Sequence, residues 1–241
     1  MKILRLLPMV AASGLLILLL AGPGSRLAFW DFAFGFKLMR LALYLGAGCI
    51  VLGFVLALLP KVRKNHLRAM LLSIAMGAAV VTPILLQVQK ARSLPYIHDL
   101  TTDTADPPAF VDVVPLRADA PNPVAYGGEE IAAQQRKGYP ELGPLRVVQA
   151  PESVFEPAVA SAQAMGWEMV ATQAGEGRIE ATDTTFWFGF KDDVVIRIRG
   201  DRAGSVIDVR SKSRVGGSDI GANAARIERY LEELSRRLEG G

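Results

Sequence analysis

LALYLGAGCIVLGFVLALLP, residues 41–60, contains no charged side chain, and its reading decides the architecture. Two further stretches share that property, Leu6–Ser25 and Ala69–Gln89. Each of the three is followed by a basic residue, Arg26, Lys61 or Lys90. A hydrocarbon layer about 30 Å thick takes roughly 20 apolar residues of helix to cross. All three stretches reach that length. The sequence therefore predicts three transmembrane helices within residues 1–89, in contact with a lipid bilayer, and a polar domain carried after the third.

The chain of 241 residues leaves room for a small bundle and one soluble domain. Its net charge of +3 owes much to basic residues at the membrane edges. No basic patch is interleaved with aromatics, so no nucleic-acid partner is expected. Cys49 is the single cysteine and falls inside the second stretch. The polar part is thus left without an intrachain disulfide, a thiolate nucleophile or a Cys-based zinc site. Lys2 and Arg5 ahead of Leu15–Leu20 imitate a signal peptide, but Ala21-Gly22-Pro23 is a poor cleavage site, and an uncleaved anchor is expected.

Orientation follows from the segment Pro60–Arg68, which holds Lys61, Arg63, Lys64 and Arg68 with no acid and reads as a loop between spans. Short basic loops stay in the cytoplasm. The N-terminus then lies inside, and the 26–40 loop and everything after Gln89 lie outside, which in a bacterial inner membrane means the periplasm. Phe29, Trp30, Phe32, Phe34 and Phe36 give the first loop an interfacial, aromatic character. The spans contain no ionisable acid, base or histidine, which argues against a pump or ion-coupled transporter. Small residues recur four apart, as in Ala42 and Gly46, Cys49 and Gly53, Ser73 and Gly77; they suit close packing of the spans or a partner's docking.

Residues 90–150 are punctuated by Pro95, Pro107, Pro108, Pro115, Pro121, Pro123, Pro140 and Pro144, which excludes long helices apart from a short one over Glu129–Arg136. Phe110, Val111, Val113, Val114 and Leu116 suggest a segment that wraps along a folded body. From 151 to 241 the pattern becomes regular. A helix over Pro151–Met165 ends at Gly166. Four strands follow, Trp167–Gln173, Arg178–Phe188, Asp193–Arg199 and Val206–Ser213, in an antiparallel meander. Ile220, Ala224, Ile227, Leu231, Leu234 and Leu238 form the stripe of a closing helix capped by Ser218 or Asp219. The expected fold class is a membrane-anchored α+β protein: three transmembrane helices, then a two-layer domain with a four-stranded antiparallel sheet and two main helices.

The run Asp208-Val209-Arg210-Ser211-Lys212-Ser213-Arg214-Val215-Gly216-Gly217-Ser218-Asp219-Ile220-Gly221-Ala222-Asn223-Ala224-Ala225-Arg226-Ile227 resembles the signature of the uncharacterised family called domain of unknown function 1499. Ile97–Asp103 with Asp106-Pro107-Pro108, and Asp192–Arg197, resemble its opening and central motifs. The resemblance spans about residues 95–238 and implies a shared domain without an assigned reaction, so no catalytic role carries over.

The residues themselves offer several chemistries. Asp99, Asp103 and Asp106 could ligate a hard cation, but their spacing fits no calcium loop, and Asp and Thr also close turns on their own backbone. Neither a metal nor a cofactor is expected. His98 is the only histidine on the outer side and the only candidate there for imidazole acid–base work, unless it is tied into a turn. Arg197 and Arg210 share a sheet face with Glu180, Thr182, Thr184 and Asp208. They could clamp an anion, or pair across strands, as Arg197 with Asp208. Gly216-Gly217-Ser218-Asp219 leads into a helix start, which attracts anions with help from Arg210 or Arg214, or is capped by Asp219 itself; Asn223 and Arg226 could brace this loop. The candidate binding residues are therefore His98, Asp99, Asp103, Arg197, Asp208, Arg210, Ser213, Arg214, Asp219 and Asn223. The reading they favour is non-enzymatic binding of an envelope protein or anionic envelope component. The alternative is a hydrolase at the outer leaflet using His98 with Asp192, Asp193, Asp208, Ser211 or Ser213, although no nucleophile elbow is visible.

Overall fold

The computed structural model describes residues 2–240, with side chains from Leu6 onward. The chain forms two compact units. The first comprises the residues through Lys90 together with the hairpin tip Phe186–Gly189; the second comprises Ala91–Thr185 and the chain from Phe190 onward.

Three helices make the first unit: α1 (Lys2–Arg26), α2 (Phe32–Ala57) and α3 (Pro60–Ser93). Each is long and apolar enough to cross a membrane. The side chains of Lys2 and Arg5 lie outside the described residues. Asp31 starts α2 by accepting a hydrogen bond from the Phe34 amide at 2.7 Å, so most of the aromatic run is helical rather than looped. The expected loop at Pro60–Arg68 is also helical. The turn shrinks to Leu58–Leu59, and Pro60 occupies the first helical position, where its missing N–H costs nothing. Only His66, at φ −136°, interrupts the helix there. The small residues serve packing. Ala42, Gly46, Cys49 and Gly53 of α2 and Ser73 and Gly77 of α3 are buried. A Cβ on Gly77 would come within 2.6 Å of the Gly46 carbonyl oxygen, so the two backbones meet directly. The hairpin tip is held in the same way. The Trp187 ring fills the space a Gly22 side chain would need, the Phe188 ring centroid lies 5.0 Å from that of Phe36, and Arg26 Nη1 donates to the Phe186 carbonyl at 2.5 Å.

The second unit runs β1 (Asp99–Thr101), α4 (Gly128–Gly138), β2 (Leu145–Val147), α5 (Pro151–Ala164), β3 (Glu168–Gln173), β4 (Arg178–Thr184), β5 (Lys191–Gly200), β6 (Ser205–Ser213) and α6 (Ala222–Glu239). The antiparallel sheet has six strands rather than four, in the order β1-β6-β5-β4-β3, with β2 also paired to β6. The two additional strands come from the proline-rich segment and are three residues each, too short for an alternating pattern to declare itself. β4 stops at Thr184, short of Phe188, because the chain turns there: the Phe190 amide bonds back to Thr185 Oγ1 at 2.8 Å.

Strand alternation divides the sheet into two faces. Ile179, Ala181, Val194, Ile196, Ile198, Ile207 and Val209 point toward α5 and α6, which contribute Val154, Phe155, Ala158, Ile227, Tyr230 and Leu234 to one core. Tyr230 stacks on Trp167 at 5.2 Å between ring centroids and donates its hydroxyl to the Ala158 carbonyl at 3.1 Å. Each large aliphatic side chain so buried contributes about 1.5–3 kcal/mol. α6 begins two residues later than its stripe suggests, since Ile220 (φ +52°) and Gly221 (φ +78°) are left-handed; Ile220 belongs to the preceding loop. The opposite face is covered by the segment after β1, whose Phe110 and Val113 pack on Val195.

Candidate functional site

The polar sheet face carries a network of ion pairs, buried at Asp99 and Asp193 and open to solvent at Arg199 and Asp106. Cross-strand register puts Asp99 opposite Lys212, Arg197 opposite Asp208, and Asp193 opposite Lys212 on its other side. Asp99 accepts two bonds from Arg210, Nε and Nη2 each at 2.8 Å, and a third from Lys212 Nζ at 2.8 Å. Arg210 also donates to the Pro108 and Val124 carbonyls and stands over the rings of Phe110 and Tyr126. Asp193, fully buried, binds Arg117 at 2.5 Å and both arms of Arg214 at 2.9 and 2.8 Å. Arg197 and Arg199 converge on Asp208 at 3.0 and 2.9 Å and reach out to Asp103 and Asp106. Glu180 receives the Val111 and Val113 amides, each at 2.8 Å, and so stitches the covering segment to the sheet.

This arrangement decides what the two sheet-face arginines, Arg197 and Arg210, do. Arg210 is clamped bidentately onto Asp99, and Arg197 takes the cross-strand partner its register offered. Both guanidinium groups are engaged inside the molecule, although Arg197 Nε is buried without a hydrogen-bond partner. Burial pushes the Lys212 ammonium down from its ordinary range, against the opposing pull of Asp99. Burial, then the neighbouring Asp99 charge, pushes the Tyr126 phenol up to about 12.

A second cluster lies on the helix side, at the end of the sheet near the loop into α6. Asn223 accepts from the Ser211 hydroxyl at 2.7 Å and donates to Ser213 Oγ at 3.0 Å and the His98 carbonyl at 3.1 Å. Arg226 bridges Asp183 at 2.7 Å and Asp192 at 2.6 Å and also bonds Ser211 and Asn223. Burial pushes the Asp192 carboxyl above the ordinary carboxylate range; Arg226 and the Ser213 hydroxyl pull the other way. Asp219 caps α6: its two oxygens accept from the Asn223 amide at 2.7 Å and the Gly221 amide at 2.9 Å, which fills the helix N-terminus from within the chain. The His98 ring faces the Gly217 carbonyl, with Nδ1 at 3.4 Å.

The ten residues named from the sequence therefore fall into two groups. Asp99, Asp103, Arg197, Asp208, Arg210 and Arg214 lie on the covered polar face, and His98, Ser213, Asp219 and Asn223 gather beside the 214–221 loop. Asp103 closes a turn, accepting the Ala105 and Asp106 amides at 3.0 Å. Among the described residues no group of three His, Cys, Asp or Glu side chains could hold a metal ion. Sequence reasoning missed Arg117, Lys212 and Arg199. Parity alone places Lys212 and Arg199 on the polar face beside Arg197 and Arg210. Arg117 lies in an aperiodic stretch and gave no such signal.

An α+β domain with an internally neutralised sheet face, preceded in the chain by three long apolar helices, is the class these features define. The chain belongs to the family described as protein of unknown function (DUF1499), whose model matches residues 99–234. A search of the curated proteins finds no match. Among solved structures, the chain is similar to protein MLL2253 from Mesorhizobium loti, with 11% identity and a TM-score of 0.31 over 40% of this chain and 93% of that one. It is likewise similar to protein CV1439 from Chromobacterium violaceum, with 14% identity and a TM-score of 0.30 over 39% and 92%.

Proposed function

We propose that the protein is an integral membrane protein of the bacterial inner membrane, with a cytoplasmic N-terminus and its sheet domain in the periplasm. There the domain binds a partner protein or an anionic envelope component. The orientation rests on Lys61, Arg63, Lys64 and Arg68 at the start of α3. C-terminal phosphatase fusions are expected to be active and C-terminal green-fluorescent fusions dark; the reverse pattern would overturn the topology.

One observation carries the binding reading. Each carboxylate of the buried network is held by at least one cationic partner, and the Ser211 and Ser213 hydroxyls are engaged by Asn223, Arg226 and Asp192. Such a network braces a surface instead of poising a proton. The surface it braces is the 214–221 loop, against which Tyr96 packs closely at Gly217 while remaining 75% exposed. Exposed aromatics on a rigid support are favoured anchors for protein partners. The test is complementation of a deletion strain with Tyr96→Ala and with His98→Ala, folding being followed by thermal melts. Binding predicts loss of function for Tyr96→Ala and little effect for His98→Ala. Loss with a folded His98→Ala protein would favour the hydrolase instead.

A further inference from the structure

We infer that a groove in the three-helix unit holds one acyl chain of an anionic phospholipid drawn from the surrounding bilayer. The inference rests on the membrane reading above and goes beyond it. The groove encloses about 360 Å³, within the roughly 300–1,000 Å³ typical of small-molecule sites. All the residues that line it belong to the first unit.

Pro83, inside α3, is one of its lining residues. Proline inside a helix supplies no N–H and crowds the carbonyl four residues earlier. Pro83 and Ile84 of α3 form one wall, Leu18 of α1 and Met39 of α2 the other, and the Trp187 indole closes a side. The floor is therefore apolar. Four and seven residues after Pro83, on the same helix face, come Gln87 and Lys90, which also line the groove. At 1.5 Å per residue, Lys90 lies about 10 Å along the axis from Pro83. That is most of the roughly 15 Å depth of one leaflet. The groove thus runs from a hydrocarbon floor to Lys90, an exposed residue in the last turns of α3. Chain below and anion above is the polarity of an anionic lipid, and a zwitterionic lipid matches only its lower part. A juxtamembrane lysine typically strengthens attraction to anionic lipid about fivefold.

The test is native mass spectrometry of the full-length protein in detergent, with equimolar phosphatidylglycerol and phosphatidylcholine of identical chains. One phosphatidylglycerol is expected to be retained preferentially. Lys90→Gln is expected to reduce that retention about fivefold, to the phosphatidylcholine level, and Lys90→Arg to preserve it. Equal retention of both lipids by the unaltered protein, or an unchanged preference in Lys90→Gln, would overturn the inference. In vesicles, phosphatidylglycerol brominated on its chains is expected to quench the Trp187 fluorescence, assigned by difference against Trp187→Phe, more strongly than brominated phosphatidylcholine; equal quenching would count against the site. A protein that stays dispersed without detergent and never floats with vesicles would remove the membrane reading as well.

Discussion

The two faces of the sheet each bury side chains and are held in opposite ways. On the helix side, Ile196, Ile207 and Val209 meet Ile227, Tyr230 and Leu234, and contact is non-directional. On the other side, Asp193, Asp208, Arg210 and Lys212 are just as deeply buried beneath a segment with little regular structure. There every group depends on a particular partner at a particular angle. An apolar face tolerates exchange of shape for shape. A buried ionic face tolerates removal of a whole set better than removal of one member, because the survivor keeps its desolvation cost.

The largest expected effect tests that asymmetry. Asp99→Asn leaves Arg210 and Lys212 buried without their carboxylate, and chemical denaturation should show a loss of about 3–5 kcal/mol. The triple variant Asp99→Leu/Arg210→Met/Lys212→Met should recover most of it, since no charge of that set is then left buried without its partner. A triple variant no more stable than Asp99→Asn would break the comparison. On the apolar face, Leu234→Ala should cost about 2–5 kcal/mol, and Leu234→Met under about 1.5 kcal/mol, by the same measurement. Tyr230→Phe, which loses only the bond to Ala158, should cost about 0.5–1.5 kcal/mol.

The polar cluster beside α6 should also be visible in the pH dependence. The Asp192 carboxyl is raised above its ordinary value of 3.8 by burial, so the folded protein holds that proton more tightly than the unfolded chain. Its contribution to stability is therefore lost as pH rises from 3.8 through its folded value. Asp192→Asn should flatten that part of a denaturation midpoint measured against pH, whatever it does to the baseline. The smallest effect belongs to the exposed pair of Arg146 and Asp201, where Arg146→Ala should change stability by no more than about 1 kcal/mol.

The two faces also differed in how far they could be read from the sequence. Alternation in β5 and β6 revealed which residues share a face, because period-two patterning survives burial on either side. It offered Asp208 as a cross-strand partner for Arg197, beside the alternative of an anion clamp, and the register of β5 and β6 makes that pair. It could not reveal that Arg210 binds Asp99, which lies 111 residues away, nor that Arg117 reaches Asp193. Those contacts are made by a proline-rich stretch without periodicity, and its two short strands were invisible for the same reason. The closing helix was legible from its stripe, but its first turn was displaced by two left-handed residues that hydrophobic spacing does not report. In the first unit, Asp31 ahead of Phe32 was a readable start signal for α2, and the aromatic run drew attention away from it.

Both strands of the proline-rich stretch pair with β6, near the chain's end. A ribosome therefore releases Asp99–Thr101 and Leu145–Val147 well before their common mate exists. At about 5–20 residues per second, that delay is seconds long. Until then Asp99–Thr101 has only the Gln135 side chain, which bonds the Thr101 backbone, and neither segment has a strand to pair with; a message truncated ahead of Ser205 would leave both without their mate and open to proteases.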